Sequence, residues 1–208
     1  MPSSELAAES STPWEPTIRM FVTIGASHFP FDRLVDWVDA WLRTERGRRV
    51  KSLVQHGRSR TSDAARESRA YLGYEEMEAT LRVTDVLVCH GGPGTIMLGR
   101  QLGLRPIVVP RRAGDECIDD HQVAFARMLA TRGDVELAET VERLHHLLDA
   151  AVDGRLELTS VAGDGRPAAA VRRFQELVDR LLGHNAMRPN GSASPRAGGR
   201  RSGGRARR

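Results

Sequence analysis

Short apolar runs alternate along the chain with stretches whose apolar residues recur every three or four positions. The runs are "IRMFVTIG" (Ile18–Gly25), "VKSLVQ" (Val50–Gln55), "DVLVC" (Asp85–Cys89) and "PIVVP" (Pro106–Pro110). Near-continuous runs of this length read as strands buried on both faces. Between the first two, Phe31, Leu34, Val35, Val38, Trp41 and Leu42 fall on one face of a helix that ends by Gly47. Helices are also expected at Glu75–Arg82, Thr95–Leu102, Asp120–Thr131 and Val141–Val152, and "HGRSRTSDAARES" reads as a polar loop. The alternation predicts an α/β fold, a single Rossmann-like domain with a parallel sheet over residues 17–152. Ligands of such sheets bind outside the carboxyl ends of the strands.

The flanks differ in composition. Residues 1–16 are rich in Ser, Pro and Glu, and residues 184–208 are rich in Gly, Ser, Pro and Arg; both are expected to be disordered. Residues 153–183 read as a linker, containing "VAGDGRP", and then an amphipathic helix with Val171, Phe174, Leu177, Val178, Leu181 and Leu182 on one face. Charge follows the same division. The first segment carries −3 and the last +7 of a net +4, so residues 17–183 are neutral. The basic pI therefore belongs to a tail, and a nucleic-acid-binding fold is not indicated. The N-terminus has no apolar core of a signal peptide. No stretch reaches the ~18 apolar residues of a membrane span. Cys89 and Cys117 show neither metal-ligand spacing nor a disulfide framework, which suits a reducing cytoplasm.

Candidate chemistry lies at the strand ends. The first strand runs into Gly25, Ala26, Ser27 and His28; the second into Gln55-His56-Gly57-Arg58-Ser59; the third into His90, Gly91, Gly92, Pro93, Gly94 and Thr95. A glycine-rich turn into a helix offers unpaired N–H groups and a positive dipole end to an anion. A tight turn that binds nothing has the same composition. Two such turns on one sheet edge point to a diphosphate. Neither G-x-G-x-x-G nor G-x-x-x-x-G-K-[ST] occurs, which disfavours a nicotinamide enzyme and a P-loop NTPase. After the fourth strand, Arg111 and Arg112 precede Asp120, His121 and Gln122 at a helix start. Asp120 is a candidate N-cap, and a carboxylate beside an amide also suits the vicinal hydroxyls of a sugar.

"MFVTIGASHFPFDRLVDWVD", "HGGPGTIM", "PIVVPRR" and "DDHQVAFARML", in this order and spacing, resemble the donor-binding, C-terminal half of glycosyltransferase family 28, which has the GT-B fold. The likeness covers roughly Met20 to Gly133 and is nearest to the family's stand-alone form. That form resembles the catalytic subunit of the two-component N-acetylglucosaminyltransferase of dolichol-linked glycan assembly, with bacterial counterparts in exopolysaccharide synthesis. The resemblance implies a UDP-sugar donor substrate and no cofactor. It places Gly25–Ser27 and Gly91–Thr95 around the diphosphate, Asp120, His121 and Gln122 on the sugar ring, and Arg111 near the donor pocket. His28 would touch a phosphate or the acceptor, or be merely solvated.

The chain departs from the family pattern at Leu98, where related transferases carry a carboxylate for the nucleotide ribose. Either another group accepts from the ribose hydroxyls, or the loss of that charge-assisted hydrogen bond weakens nucleotide binding by roughly 1.5–3 kcal/mol. The resemblance implies an inverting transfer, and with no D-x-D motif present a metal-independent mechanism is expected. The base is not assignable from the sequence. A GT-B enzyme uses two domains, so the resemblance implies a membrane-associated, acceptor-binding partner subunit and a lipid-linked sugar acceptor, with no nucleic acid partner. The expected location is cytoplasmic, peripheral at the inner face of the plasma membrane. Leu98 motivates an alternative, a non-catalytic nucleotide-sugar-binding or scaffold subunit. A nucleotide-sugar epimerase on the same half-fold is a third reading.

Overall fold

The computed structural model describes residues 18–159. Six strands form one sheet: β1 (Arg19–Thr23), β2 (Lys51–Gln55), β3 (Glu67–Arg69), β4 (Val86–His90), β5 (Ile107–Val109) and β6 (Glu136–Leu137). Their order is β3-β2-β1-β4-β5-β6 and every pairing is parallel. Six helices connect them: α1 (Asp32–Leu42), α2 (Glu45–Arg48), α3 (Tyr74–Arg82), α4 (Pro93–Gln101), α5 (His121–Thr131) and α6 (Val141–Val152). This is the expected Rossmann-like arrangement.

Alternating residues of β1 feed two separate cores, because successive side chains of a strand point to opposite faces. Met20, Val22 and Ile24 join Leu34, Val35, Val38 and Trp41 of α1 and Leu144, Leu147 and Leu148 of α6. Phe21 faces the other way and joins Leu81 of α3, Ile96 of α4, and Phe125, Ala126 and Leu129 of α5. β4 does the same: Val86 and Val88 lie in the first core, Leu87 and Cys89 in the second.

Several element boundaries differ from the sequence expectation. β3 begins in the last two residues of the stretch read as a polar loop, and its pattern is exposed at both ends, so it has no apolar signature. Two-residue β6 and four-residue α2 are too short for a periodicity. α4 begins at Pro93 instead of Thr95, since proline is pre-set for the first helical position. The packed chain also runs past Val152. Leu158 is buried in the first core, its carbonyl accepts from the Arg105 N–H at 2.6 Å, and Thr159 bridges to Leu104. The expectations for residues 1–16 and 184–208, and for the helix after the linker, lie outside the described residues.

The strand order places β1 beside β4, with the chain leaving toward β2 on one side and β5 on the other. The crevice at such a switch point, at the C-terminal ends of β1 and β4, is where open α/β sheets take ligands. The two glycine-rich turns flank it.

Candidate donor site at the ends of β1 and β4

The turn after β1 is held by its carbonyls. Gln55, buried at the end of β2, donates from Nε2 to the Gly25 carbonyl and to that of Ala70, both at 3.2 Å. Its Oε1 accepts from the Thr23 hydroxyl, whose oxygen in turn accepts from the Gly25 N–H at 3.2 Å. From the other side, the Arg111 guanidinium, 1% exposed, donates to the carbonyls of Ile24 (2.8 Å), Phe29 (3.0 Å), Pro30 (3.0 Å) and Glu116 (2.9 Å). It also lies over the Phe31 ring, 4.7 Å from the centroid. Arg111 is therefore a bracket beneath the turn, and its Nη atoms are spent on backbone. Ser27 Oγ accepts from the Phe29 N–H at 3.2 Å. Among the described residues, the N–H groups of Ala26, Ser27 and His28 donate to no protein acceptor. Gly25 takes φ +78°, which starts the turn. His28 is exposed and stacks against Phe29, ring centroids 4.2 Å apart.

The turn after β4 leads straight into α4, with Gly92 at the N-cap, Pro93 next, and no acidic residue in the first turn. Gly94 and Thr95 thus open the helix with N–H groups that have no intrahelical acceptor. The His90 ring packs between the two turns. A β-carbon on Gly25 would lie 2.5 Å from its Cε1, and one on Gly92 would lie 2.9 Å from its Cδ2. Both positions need glycine because the imidazole fills the space. Burial, and then the positive charge of Arg111, lower the His90 pKa to about 4, against a smaller opposing contribution from the Thr23 backbone. The ring is neutral at physiological pH, and its Nδ1 is sealed from solvent without a partner.

Gln122, in the first turn of α5, abuts this turn. A β-carbon on Gly91 would lie 2.9 Å from Gln122 Cβ and 3.2 Å from Oε1. Oε1 is buried and unpartnered. Asp120 occupies the N-cap position of α5, but its side chain does not cap the helix. Its Oδ1 instead accepts from the Ala113 N–H at 2.8 Å and closes the preceding loop. The capping interaction comes from Asp119, whose Oδ1 accepts from the His121 N–H at 3.0 Å and faces His121 Nδ1 at 2.7 Å. These two contacts, the backbone one first, hold the Asp119 carboxyl below the usual carboxylate range.

The loop from Arg111 to Asp120 is locked to α1 by a bidentate pair, Arg33 Nε and Nη2 to Glu116 at 2.6 and 2.8 Å. Burial raises the Glu116 pKa, yet Arg33 and the Arg112 N–H outweigh it and hold the carboxyl below its ordinary value. Gly25, Ala26, Ser27, His90, Gly91, Gly92, Gly94, Thr95 and Gln122 thus surround the switch point, with His28 exposed at its margin. Arg111 holds carbonyls of the β1 turn, Asp120 closes the loop before α5 onto Ala113, and His121 is tied to Asp119. Thr23 and Arg33 were not singled out by sequence; Gln55 was named at its strand end, a polar residue closing an apolar strand, but without its role of holding carbonyls. Among the described residues no cluster of His, Cys, Asp or Glu suits a metal ion, and no helix is long and apolar enough to cross a membrane.

Over 109 residues, half of this chain, the sequence is 34% identical to the UDP-N-acetylglucosamine–N-acetylmuramyl-(pentapeptide) pyrophosphoryl-undecaprenol N-acetylglucosamine transferase of Shewanella amazonensis. The match spans 29% of that protein, so the chain corresponds to under a third of the curated relatives it matches. Among solved structures, MurG of Acinetobacter baumannii superimposes with a TM-score of 0.52 at 19% identity, over 88% of this chain and 58% of that one. The solution structure of ALG13 gives the same TM-score and identity, over 77% of this chain and 94% of that one. These two likenesses establish a shared fold. The family model for the glycosyltransferase family 28 C-terminal domain matches residues 19–180, and the chain belongs to that family.

Proposed function

We propose that this chain is the donor-binding, catalytic subunit of an inverting UDP-sugar glycosyltransferase, which transfers a hexose-type sugar to a lipid-linked acceptor together with a membrane-associated partner. The observation that carries the reading is the pair of turns at the β1 and β4 ends. In the β1 turn the Ile24 and Gly25 carbonyls are tied down while the N–H groups of Ala26, Ser27 and His28 stay unpartnered, and at the β4 turn the first turn of α4 carries no acid. Fixed N–H dipoles of this kind suit a diphosphate and gain strength as negative charge develops on departing UDP. Gln122, with its free Oε1 beside Gly91, is the side chain best placed to address the sugar. Asp120 and Arg111 act by positioning. The acceptor site and the base that deprotonates its hydroxyl belong to the partner subunit.

Calorimetric titration with UDP and a panel of UDP-sugars tests this. The variant to compare is Gly94→Asp. Gly94 has open space where a β-carbon would go, and an acid at a helix N-terminus favours folding. Binding of UDP by the wild type and its loss in a stably folded Gly94→Asp would support a diphosphate at the start of α4. Absence of binding, alone and with the partner present, would remove the donor reading.

Leu98 supports a second reading, a non-catalytic nucleotide-sugar-binding or scaffold subunit. Its side chain packs against the second core. Turnover with a reconstituted partner separates the two.

A further inference from the structure

The turn after β2 contains a cation that the donor site as described leaves unused. Gly57 and Arg58 stand at the apex of a turn closed on both sides. The Ser59 N–H donates to the His56 carbonyl at 2.9 Å, and His56 Nδ1 lies 3.0 Å from the Ser59 carbonyl. The base of the turn is anchored to the end of β3, with the His56 and Gly57 N–H groups donating to the Arg69 and Ala70 carbonyls at 2.9 and 2.8 Å. Ser59 Oγ accepts from the Phe31 N–H at 2.5 Å, which ties the turn to the start of α1. A β-carbon on Gly57 would lie 2.9 Å from the Gly25 carbonyl, so the turn abuts the glycine-rich turn of β1. The apex is thus rigid and adjacent to the unpartnered N–H groups of Ala26, Ser27 and His28.

Charge distinguishes Arg58 from its neighbours. Arg33 is paired with Glu116, Arg60 with Asp36 and Asp39, and Arg69 with Glu67. Arg111 is buried among carbonyls. The Arg58 side chain is exposed and, among the described residues, meets no carboxylate, carbonyl or ring. A full positive charge is therefore presented on a pinned turn beside a cluster of free N–H donors. Guanidinium groups bind phosphate oxygens through two parallel hydrogen bonds.

We infer that Arg58 is a substrate-binding residue that engages a phosphate group at the β1 edge of the site. The inference rests on the donor reading. The phosphate has two possible sources, the diphosphate of the nucleotide donor and a phosphate of the lipid-linked acceptor, and the chemistry on Arg58 is the same for both.

The test uses the full chain as wild type, Arg58→Gln and Arg58→Lys. All three should unfold at the same temperature, since the side chain holds nothing in the fold. The first arm titrates UDP and uridine. Arg58→Gln should bind UDP roughly tenfold more weakly, the loss of one charge-assisted contact, with Arg58→Lys intermediate and uridine unchanged; this assigns the guanidinium to the donor. The second arm titrates inorganic pyrophosphate into the UDP-saturated chain. Loss of that binding in Arg58→Gln, with UDP affinity intact, assigns it to the acceptor phosphate. A wild type that binds UDP and an Arg58→Gln variant indistinguishable from it in both arms would overturn this inference while the donor reading stands. A wild type that binds neither probe would overturn both.

Discussion

The imidazole of His90 occupies the space that a β-carbon on Gly92 would need. The added atom would overlap Nε2 and lie 2.9 Å from both Cδ2 and Cε1. The ring has no room to retreat, because Gly25 abuts it from the other turn. Gly92→Ala should therefore destabilise the fold by about 1–3 kcal/mol through overpacking. Urea unfolding of Gly92→Ala, His90→Ala and the double variant gives the check. The double variant should be more stable than Gly92→Ala alone, with a coupling of the order seen between touching residues, about 0.5–3 kcal/mol. Additive effects would mean the ring and the glycine do not share that space.

His90 also sets a pH dependence. Its folded pKa of about 4 lies below the value near 6.5 of an unfolded histidine. Above pH 6.5 the ring is neutral in both states. As pH falls from 6.5 toward 4, the unfolded chain takes up a proton that the folded chain does not, so stability drains over that window, by about 3 kcal/mol at full extent. Replacing His90 with Asn removes the titration. The wild type should lose more stability than His90→Asn between pH 6.5 and 4.5 in urea melts at stepped pH. Parallel pH profiles would refute the neutral, buried ring.

Arg111 holds four carbonyls from two loops and lowers the His90 pKa by its charge. Arg111→Met leaves those carbonyls in a buried site without a donor and should cost about 3–5 kcal/mol. Arg111→Lys keeps the charge, but one ammonium cannot reproduce the spread of a guanidinium, so it should recover only part of that loss. A second readout separates charge from packing. In an NMR titration the His90 ring of Arg111→Met should titrate higher than in the wild type, with Arg111→Lys between the two.

The sheet was legible because four strands are near-continuous apolar runs and β1 is buried on both sides, as Phe21 and Val22 show by facing different cores. Glu67–Arg69 was not legible. An edge strand in which only Ser68 is even partly buried needs no apolar residues, and its hydrogen bonds with Leu53–Gln55 are made by backbone. The glycine-rich turns were likewise visible as composition, but not what stiffens them. Gln55 and Arg111 act across long sequence separations, on carbonyls, and backbone carbonyls leave no trace in a sequence. Asp119 and Asp120 illustrate the same limit at short range. Two adjacent aspartates precede a helix, and only in the fold does the second close a loop onto Ala113 while the first caps His121.

Leu98 tests the donor reading from the nucleotide side. It sits in the second turn of α4, partly buried, with its side chain against the second core. A carboxylate in its place could accept from ribose hydroxyls, and such a contact is worth roughly 1.5–3 kcal/mol. Leu98→Glu should therefore raise the affinity for UDP about tenfold or more, while leaving the affinity for inorganic pyrophosphate unchanged. The substitution removes apolar contact at the rim of the core, so a modest fall in unfolding temperature is expected alongside. The two readouts are independent, because the first depends on the ribose and the second on packing. A gain specific to UDP would place the ribose over α4 and would show the nucleotide site to be intact but weakened. Equal UDP affinity in a stably folded Leu98→Glu would mean that the ribose lies elsewhere, and would favour the scaffold reading over the catalytic one.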